Sequence, residues 1–237
     1  RMGYRVVSWI GGPDSGPAGM ADLVIQDSFD SEAGLTRFIE EADVATVEFE
    51  NIPCDLLEKV AGVMPLMPGV LAITTCQHRE REKLFLSDNG FPCAAFCVVD
   101  SAETLAEALV QLPDNGGILK TAEFGYDGKG QLPVNRDSDA GETWANFDAP
   151  RAVLEEKIDL ATELSFLVVR DQRGGAVCYD PGDNIHRDHI LDVTIVPARI
   201  KESVMEEARK VSLGIAEALE YIGCLLYTSD AADEVLG

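Results

Sequence analysis

This chain of 237 residues carries 19 basic against 42 acidic side chains, and its formal net charge of −23 argues against a nucleic-acid binder, which would need a basic footprint. The apolar content of 46% is ordinary for a globular protein that could hold one large domain or two small ones. No apolar run approaches the ~20 residues of a membrane span, and the six cysteines contain no C-x-x-C pair, so we expect a cytoplasmic protein with reduced thiols.

Strands alternate with helices in the pattern of the first 75 residues. Strands are predicted over residues 4–9, 22–25 and 44–49. Ser31 is a suitable N-cap for a first helix, and Pro53 suits the first turn of a second one. Strands that alternate with helices favour a parallel sheet, so this part of the chain predicts an α/β fold.

The remainder of the chain predicts further helices and mostly antiparallel strands. A helix over 77–87 ends at Asn89-Gly90, and Ser101 caps the helix that follows the next strand. The polar stretch 135–150 is predicted as a loop. Further strands are expected over 93–99, 151–155, 163–170, 176–179 and 190–198, and a last helix is expected over 201–221.

A glycine-rich turn between two strands is the most informative local feature. Residues 118–134 read I-L-K-T-A-E-F-G-Y-D-G-K-G-Q-L-P-V, with Lys120 at the end of the first strand and Lys129 inside the turn. Glycines allow a positive φ and close approach to a ligand, and exposed backbone N–H groups form a concavity that suits phosphate. The spacing is neither G-x-G-x-x-G nor the Walker pattern. Alone, it predicts either a plain β-hairpin or a phosphate cradle.

Four stretches share one order and spacing with a known family. They are V-E-F-E-N-I-P (47–53), L-K-T…G-Y-D-G-K-G-Q (119–131), L-E-E-K-I (154–158) with T-E-L-S (162–165), and N-I-H-R-D (184–188) before I-L-D (190–192). Over residues 1 to about 223, the chain resembles the ATP-grasp superfamily and, within it, the N5-carboxyaminoimidazole ribonucleotide synthetases of purine (IMP) biosynthesis.

The resemblance implies a domain organisation of class α/β, with an α+β clamp. Residues 1–90 would form a Rossmann-like pre-ATP-grasp domain whose first strand and glycine turn are missing. Residues 91–153 would form the ATP-grasp lid subdomain, and 154–223 the start of a truncated C-terminal subdomain. The tail 224–237 resembles nothing in the family, so the chain is expected to be an inactive fragment.

The resemblance also implies the ATP contacts. Lys120 would neutralise phosphate charge, residues 125–131 would form the lid, the 155–158 segment would hold adenine, and Glu163 would accept hydrogen bonds from the ribose. Arg79 would meet ATP, although an i,i+4 partner on an exposed helix is the alternative. The expected ATP-binding residues are Arg79, Lys120, Gly125, Tyr126, Asp127, Gly128, Lys129, Gly130, Gln131, Glu155, Glu156, Lys157, Ile158, Glu163 and His186.

Four residues carry the expected catalytic roles. Tyr126 and Asp127 would lie near 5-aminoimidazole ribonucleotide. Glu48 and Glu50 alternate on a predicted strand and so share a face, and one of them would lie near bicarbonate. The implied enzyme is a carbon–nitrogen ligase. ATP phosphorylates bicarbonate to carboxyphosphate, carboxyphosphate releases CO₂ in a closed pocket, and the amine of the ribonucleotide attacks CO₂ to give N5-carboxyaminoimidazole ribonucleotide.

Several expectations remain open at this point. The Mg²⁺ ligands of the family are expected beyond residue 223, so no metal ligand is predicted in the chain. His186, Asp188 and His189 cluster by composition, which we interpret as coincidence because the family has glycine where His189 stands. The alternatives are a non-catalytic ATP-binding module and another ATP-grasp carboxylase or formyltransferase. Relatives are commonly dimers, so a homodimer is an expectation of the resemblance.

Overall fold

The computed structural model describes residues 3–12, 19–49, 51–123, 130–187 and 190–229. The chain divides into two compact units, Arg1–Thr74 and Thr75–Gly237. In the part of the chain that is described, no helix combines the length and the apolar character that crossing a membrane requires.

A small parallel sheet and helices form the first unit. Strand β1 (Val7–Trp9) pairs in parallel with β2 (Leu23–Ile25), as the alternating pattern predicts. Helix α1 (Glu32–Glu41) begins at the predicted cap, because the Ser31 hydroxyl accepts a hydrogen bond from the Gly34 N–H at 3.0 Å. Helix α2 (Cys54–Ala61) follows, and α3 (Val70–Cys76) crosses the division between the units.

The strand predicted over residues 44–49 is wrong. Among the described residues of this segment, Ala45 alone forms a β-bridge, parallel to Leu66. The Ala45 N–H donates to the Pro65 carbonyl at 2.8 Å, and the Met67 N–H donates to the Ala45 carbonyl at 3.0 Å. Pro65 has no N–H to donate to residue 43, so the ladder does not extend before Ala45.

The second unit contains a four-stranded antiparallel sheet in the order β3-β6-β4-β5. Its strands are β3 (Phe96–Val99), β4 (Gly117–Thr121), β5 (Gln131–Val134) and β6 (Ala152–Glu156). Helix α4 (Arg79–Asp88) precedes the sheet, and α5 (Ala102–Leu109) connects β3 to β4. One face of the sheet buries Val99, Leu119 and Leu154 against the apolar side of α5.

Helix α6 (Ala140–Phe147) contradicts the loop predicted over residues 135–150. The Asp139 carboxylate caps it by accepting a hydrogen bond from the Glu142 N–H at 2.8 Å. Trp144 and Phe147, three residues apart, pack against the core of the four-stranded sheet. The polar residues around these two aromatic side chains conceal the helical pattern in the sequence.

A second sheet completes the unit, in the order β10-β9-β7-β11 with β8 paired to β7. Strands β7 (Glu163–Arg170) and β8 (Ala176–Cys178) form the predicted hairpin. Leu164 and Phe166 are buried against Val204 and Ala208 of α7. The bounds of the other elements are β9 (Gly182–Arg187), β10 (Ile190–Ile195), α7 (Glu202–Ala218) and β11 (Gly223–Ser229).

Strand β11 includes residues that we set apart from the family fold. It pairs antiparallel with β7 from Gly223 opposite Arg170 to Ser229 opposite Leu164. Residues 223–229 therefore belong to the second sheet. The finer division of the chain at residues 90, 153 and 223 stays a prediction.

Candidate functional site

Strand alternation separates an apolar and a polar face in the four-stranded sheet. On β4 and β6, Leu119 and Leu154 face the core, so Lys120 and Glu155 lie on the opposite face. Lys120 is opposite Val153, two residues before Glu155, and its Nζ donates to Glu155 Oε2 at 3.0 Å. The lysine that we predict from the glycine-rich pattern is thus held by a carboxylate on the neighbouring strand.

A second lysine joins this pair from helix α4. Lys83 Nζ lies 3.1 Å from Glu155 Oε2, the same oxygen that Lys120 contacts. All three residues are buried, with relative exposures of 7% for Lys83, 8% for Lys120 and 2% for Glu155. We call these three residues the lysine–glutamate cluster. It combines two positive charges with one negative charge away from water.

The electrostatics of the lysine–glutamate cluster favour the ionised carboxylate. Burial raises the pKa of Glu155, but the nearby Lys120 and Lys83 ammonium groups outweigh burial, and the pKa lies below its ordinary value.

Lys83 is absent from our sequence predictions because it reads as a surface residue of a charged helix. Its spacing from Arg79 and the buried Leu86, at i, i+4 and i+7, is the signal that marks it as inward-facing.

Arg79 is anchored at the end of the strand that leads into the glycine-rich turn. Its backbone N–H donates to the Ala122 carbonyl at 2.8 Å, and its Nε donates to the Thr121 carbonyl at 3.2 Å. This position beside β4 differs from that of a solvent-exposed i,i+4 partner. A role for Arg79 in nucleotide binding stays a prediction.

Gly130 and Thr121 lie close together at the base of the glycine-rich hairpin. Gly130 has φ +71°, and a Cβ there would lie 2.8 Å from Thr121 Oγ1, so a side chain would be strained and crowded. Thr121 donates its N–H to the Gly130 carbonyl at 2.9 Å, and Gln131 pairs with Lys120. The remaining predicted lid residues, Gly125, Tyr126, Asp127, Gly128 and Lys129, lie outside the described residues.

The predicted adenine segment begins at the end of β6. Glu156 donates its N–H to the Ala95 carbonyl at 2.9 Å, and Lys157 donates its N–H to the Gly116 carbonyl at 3.1 Å. The Lys157 carbonyl accepts a hydrogen bond from Asn115 Nδ2 at 2.5 Å. The backbone of Lys157 is thus already hydrogen-bonded to the turn before β4, while Ile158 is half-buried beside it.

A polar cluster on the second sheet brings two predicted residues together. His186 Nε2 lies 3.5 Å from Glu163 Oε1, and Asn184 Nδ2 donates to the same oxygen at 3.4 Å. His186 lies within strand β9, because pairing with β7 and β10 extends this polar stretch as a strand.

Asn184 is a member of this cluster that sequence reasoning missed. It is buried at 8% exposure, and its Oδ1 accepts hydrogen bonds from Thr194 Oγ1 at 2.9 Å and from Ser165 Oγ at 3.3 Å. The amide is thereby oriented with its donor group toward Glu163. The alternation of Asn184 and His186 along a strand is the signal that places both on the face of Glu163.

A bidentate ion pair fastens α4 to the start of β6. Arg151 donates through Nη2 to Glu80 Oε1 at 2.7 Å and through Nε to Glu80 Oε2. The hydrogen bond from Arg151 lowers the pKa of Glu80 below its ordinary value. This pair holds the helix that carries Arg79 and Lys83 against the strand that carries Glu155, and our sequence predictions do not include it.

The structure supplies less for the other predicted site residues. Glu48 is exposed in the first unit, at a bend, and Glu50 lies outside the described residues, so the strand face on which we place both is not formed as predicted. Among the described residues, no group of three or more His, Cys, Asp and Glu side chains is arranged to hold a metal ion. Asp188 and His189 lie outside the described residues. We therefore assign no Mg²⁺ ligand.

Family models match nearly the whole chain. The model of the ribonucleotide synthetase preATP-grasp domain matches residues 1–77, and that of the ATP-grasp domain matches residues 84–227. The second match includes the lysine–glutamate cluster, except for Lys83, and the polar cluster around Glu163.

Individual relatives are consistent with these matches. The N5-carboxyaminoimidazole ribonucleotide synthase of Brucella melitensis is 34% identical over 95% of this chain and 62% of that protein. The crystal structure of an ADP complex of an N5-carboxyaminoimidazole ribonucleotide synthetase is 30% identical with a TM-score of 0.86, over 96% of this chain and 63% of that one. The Staphylococcus aureus N5-carboxyaminoimidazole synthetase complexed with ADP is 30% identical with a TM-score of 0.85, over the same 96% and 63%. The chain spans about three-fifths of the length of these proteins.

Proposed function

The chain belongs to the ATP-grasp family, and from that premise we propose that it binds ATP in its second unit and forms part of an N5-carboxyaminoimidazole ribonucleotide synthase. The lysine–glutamate cluster is the observation that carries the proposal. Lysine is almost never fully buried unless it is paired. Here two buried lysines contact one carboxylate oxygen beside the strand that enters the glycine-rich turn. Two ammonium groups fixed at this place would attract a nucleotide phosphate.

The local charge matters because the chain as a whole is strongly acidic. A net charge of −23 repels a polyanion at long range, so affinity for a nucleotide has to come from cations that are fixed at the site. We propose that Lys120 contacts the nucleotide phosphates and that Arg79 lies beside them. Glu163, oriented by Asn184 and adjacent to His186, would accept hydrogen bonds from the ribose hydroxyls.

The proposed reaction is the ATP-dependent carboxylation of 5-aminoimidazole ribonucleotide with bicarbonate. Bicarbonate attacks the γ-phosphorus of ATP, ADP leaves, and carboxyphosphate forms. Carboxyphosphate decomposes to CO₂ and phosphate, and the exocyclic amine attacks the CO₂ carbon and loses a proton to give the carbamate. The contribution of the protein is to position the reactants and to exclude water from the labile intermediate.

Several details of the proposal rest on the family resemblance alone. Tyr126 and Asp127 are proposed near the ribonucleotide, and Glu48 or Glu50 near bicarbonate. Mg²⁺ is proposed as the counter-ion of the nucleotide phosphates, with no ligand assigned. A cytoplasmic location and a homodimer belong to the same proposal.

The test of the reaction is substrate-dependent ATP hydrolysis by the complete gene product that contains these 237 residues. We expect ADP release to require both bicarbonate and aminoimidazole ribonucleotide and to be lost in Lys120→Met. ATP hydrolysis that continues when either substrate is omitted would contradict the proposed reaction. Absence of hydrolysis in a folded protein that is supplied with ATP, Mg²⁺ and both substrates would contradict it as well.

A further inference from the structure

We propose that Lys83 is a positioning residue that keeps Glu155 paired while Lys120 gives its ammonium group to a nucleotide phosphate. This inference rests on the proposed function and extends it to a residue that contacts no substrate itself. Lys83 would act through Glu155, and its effect would appear in the affinity for the nucleotide and in the proton balance of binding.

The geometry makes Glu155 dependent on its two lysines. Both ammonium groups contact Oε2, at 3.0 Å for Lys120 and 3.1 Å for Lys83. The other oxygen, Oε1, is buried and accepts no hydrogen bond from the residues that the structure describes. The neighbours across the strands are Phe96 of β3 and Ile118 of β4, which cannot carry charge. The described charged groups that face Glu155 are therefore Lys83 of α4 and Lys120 of β4.

Nucleotide binding would bring the negative charge of a phosphate to the Lys120 ammonium group, which contacts Glu155 in the nucleotide-free chain. A phosphate that draws the Lys120 ammonium away weakens one of the two contacts that keep the buried carboxylate ionised. With Lys83 in place, Glu155 still has a cation at 3.1 Å and stays charged. Without Lys83, the carboxylate would be left unpaired at 2% exposure, and a buried, unpaired carboxylate takes up a proton.

Two measurable consequences follow for Lys83→Met. Nucleotide binding should take up about one more proton than in the wild-type chain, because Glu155 becomes protonated in the complex. Affinity for the nucleotide at pH 8 should fall at least about tenfold. Glu155 has to take up a proton at a low proton concentration, or else stay ionised and buried without a partner, and either costs free energy. The deficit should shrink as the pH is lowered toward 6, where the proton is supplied more readily.

The experiment is a calorimetric titration of ADP into the full 237-residue chain between pH 6 and pH 8, in buffers that differ in their heat of ionisation. Lys83→Arg keeps the charge and should retain the wild-type proton balance, with affinity within about threefold. Lys210→Met removes an exposed lysine of the same unit and should change neither quantity. The double variant Lys83→Met/Glu155→Gln removes the carboxylate that would be protonated, so its binding of ADP should show no extra proton uptake.

The outcomes separate this inference from the proposed function. Wild-type binding of ADP with no additional proton uptake in Lys83→Met would overturn the role of Lys83 and leave the nucleotide site standing. A folded wild-type chain that does not bind ADP would overturn both. If Lys83→Met does not fold, the titration is made with Lys83→Gln, which has the same expected proton uptake. Extra proton uptake that persists when the double variant binds ADP would show that Glu155 is not the group that is protonated, and would overturn the inference.

Discussion

Replacing Glu155 by glutamine should strongly destabilise the second unit. The substitution keeps the size of the side chain but removes the negative charge that two ammonium groups share at 3.0 and 3.1 Å. Removal of one partner from a buried ion pair costs about 3–5 kcal/mol, because it leaves uncompensated charge in the interior. The glutamine carbonyl still accepts one hydrogen bond, worth about 1 kcal/mol. We therefore expect a loss of about 3 kcal/mol in the free energy of unfolding.

A matched variant distinguishes this cause from a simple packing defect. In the triple variant Lys83→Met/Lys120→Met/Glu155→Leu, apolar side chains replace all three charges. Such replacements of whole buried clusters are often neutral or stabilising, so we expect a free energy of unfolding within about 1 kcal/mol of the wild type. The triple variant should thus be more stable than the single one, although it changes three residues.

The assay is urea unfolding at pH 7, followed by the fluorescence of Trp144. Trp144 packs against the core of the four-stranded sheet, and a Trp9→Phe background removes the tryptophan of the first unit from the signal. A Glu155→Gln variant whose free energy of unfolding lies within about 0.5 kcal/mol of its parent would refute the stabilising role that we assign to the Glu155 charge, since that is the range of an ordinary surface substitution. A triple variant less stable than Glu155→Gln would also refute it.

Two further predictions concern the turn before β4 and the response to acid. Gly116→Ala should lose at least about 2 kcal/mol in urea unfolding, because φ is +85° and the new Cβ would lie 2.6 Å from the Val134 carbonyl oxygen. Gly69→Ala, whose new Cβ would have no atom within 4 Å, is the control and should change little. The pKa of Glu80 is lower in the folded chain than its unfolded value of 4.5. Ionised Glu80 therefore contributes fully to the free energy of unfolding above pH 4.5, and this contribution is lost as the pH falls through the lower folded pKa. Arg151→Gln should therefore flatten the fall in unfolding free energy below about pH 4.5, and an unchanged slope would contradict the pairing.

Local sequence signals predict those parts of the fold that depend on local interactions. Ser31 and Ser101 cap α1 and α5 where the sequence places them, because an N-cap bonds to the backbone of its own first turn. The prediction of a strand over 44–49 is wrong because the length of this pairing is set by a partner segment around Pro65. The prediction of a loop where α6 forms is wrong because two aromatic residues pack this helix against the core, although its other residues are mostly polar.

The candidate site divides in the same way. Lys120 is accessible to sequence reasoning because a strand, a lysine and a glycine-rich turn are contiguous. Lys83 and Asn184 are not, because each has its polar partner on another element: Glu155 for Lys83, and Glu163 for Asn184. Pairing of this kind depends on strand register and helix docking, and no short motif records either.

The most direct test of a nucleotide site in the second unit compares the affinity of the folded 237-residue chain for ADP with its affinity for adenosine. The two ligands differ only in the phosphates, which we assign to Lys120. We predict that the wild-type chain binds ADP at least about tenfold more tightly than adenosine, as expected when a charged group is matched by a fixed cation, and that Lys120→Met removes most of this difference. Equal affinity of the wild-type chain for the two ligands, or no binding of either by the folded chain, would contradict the account.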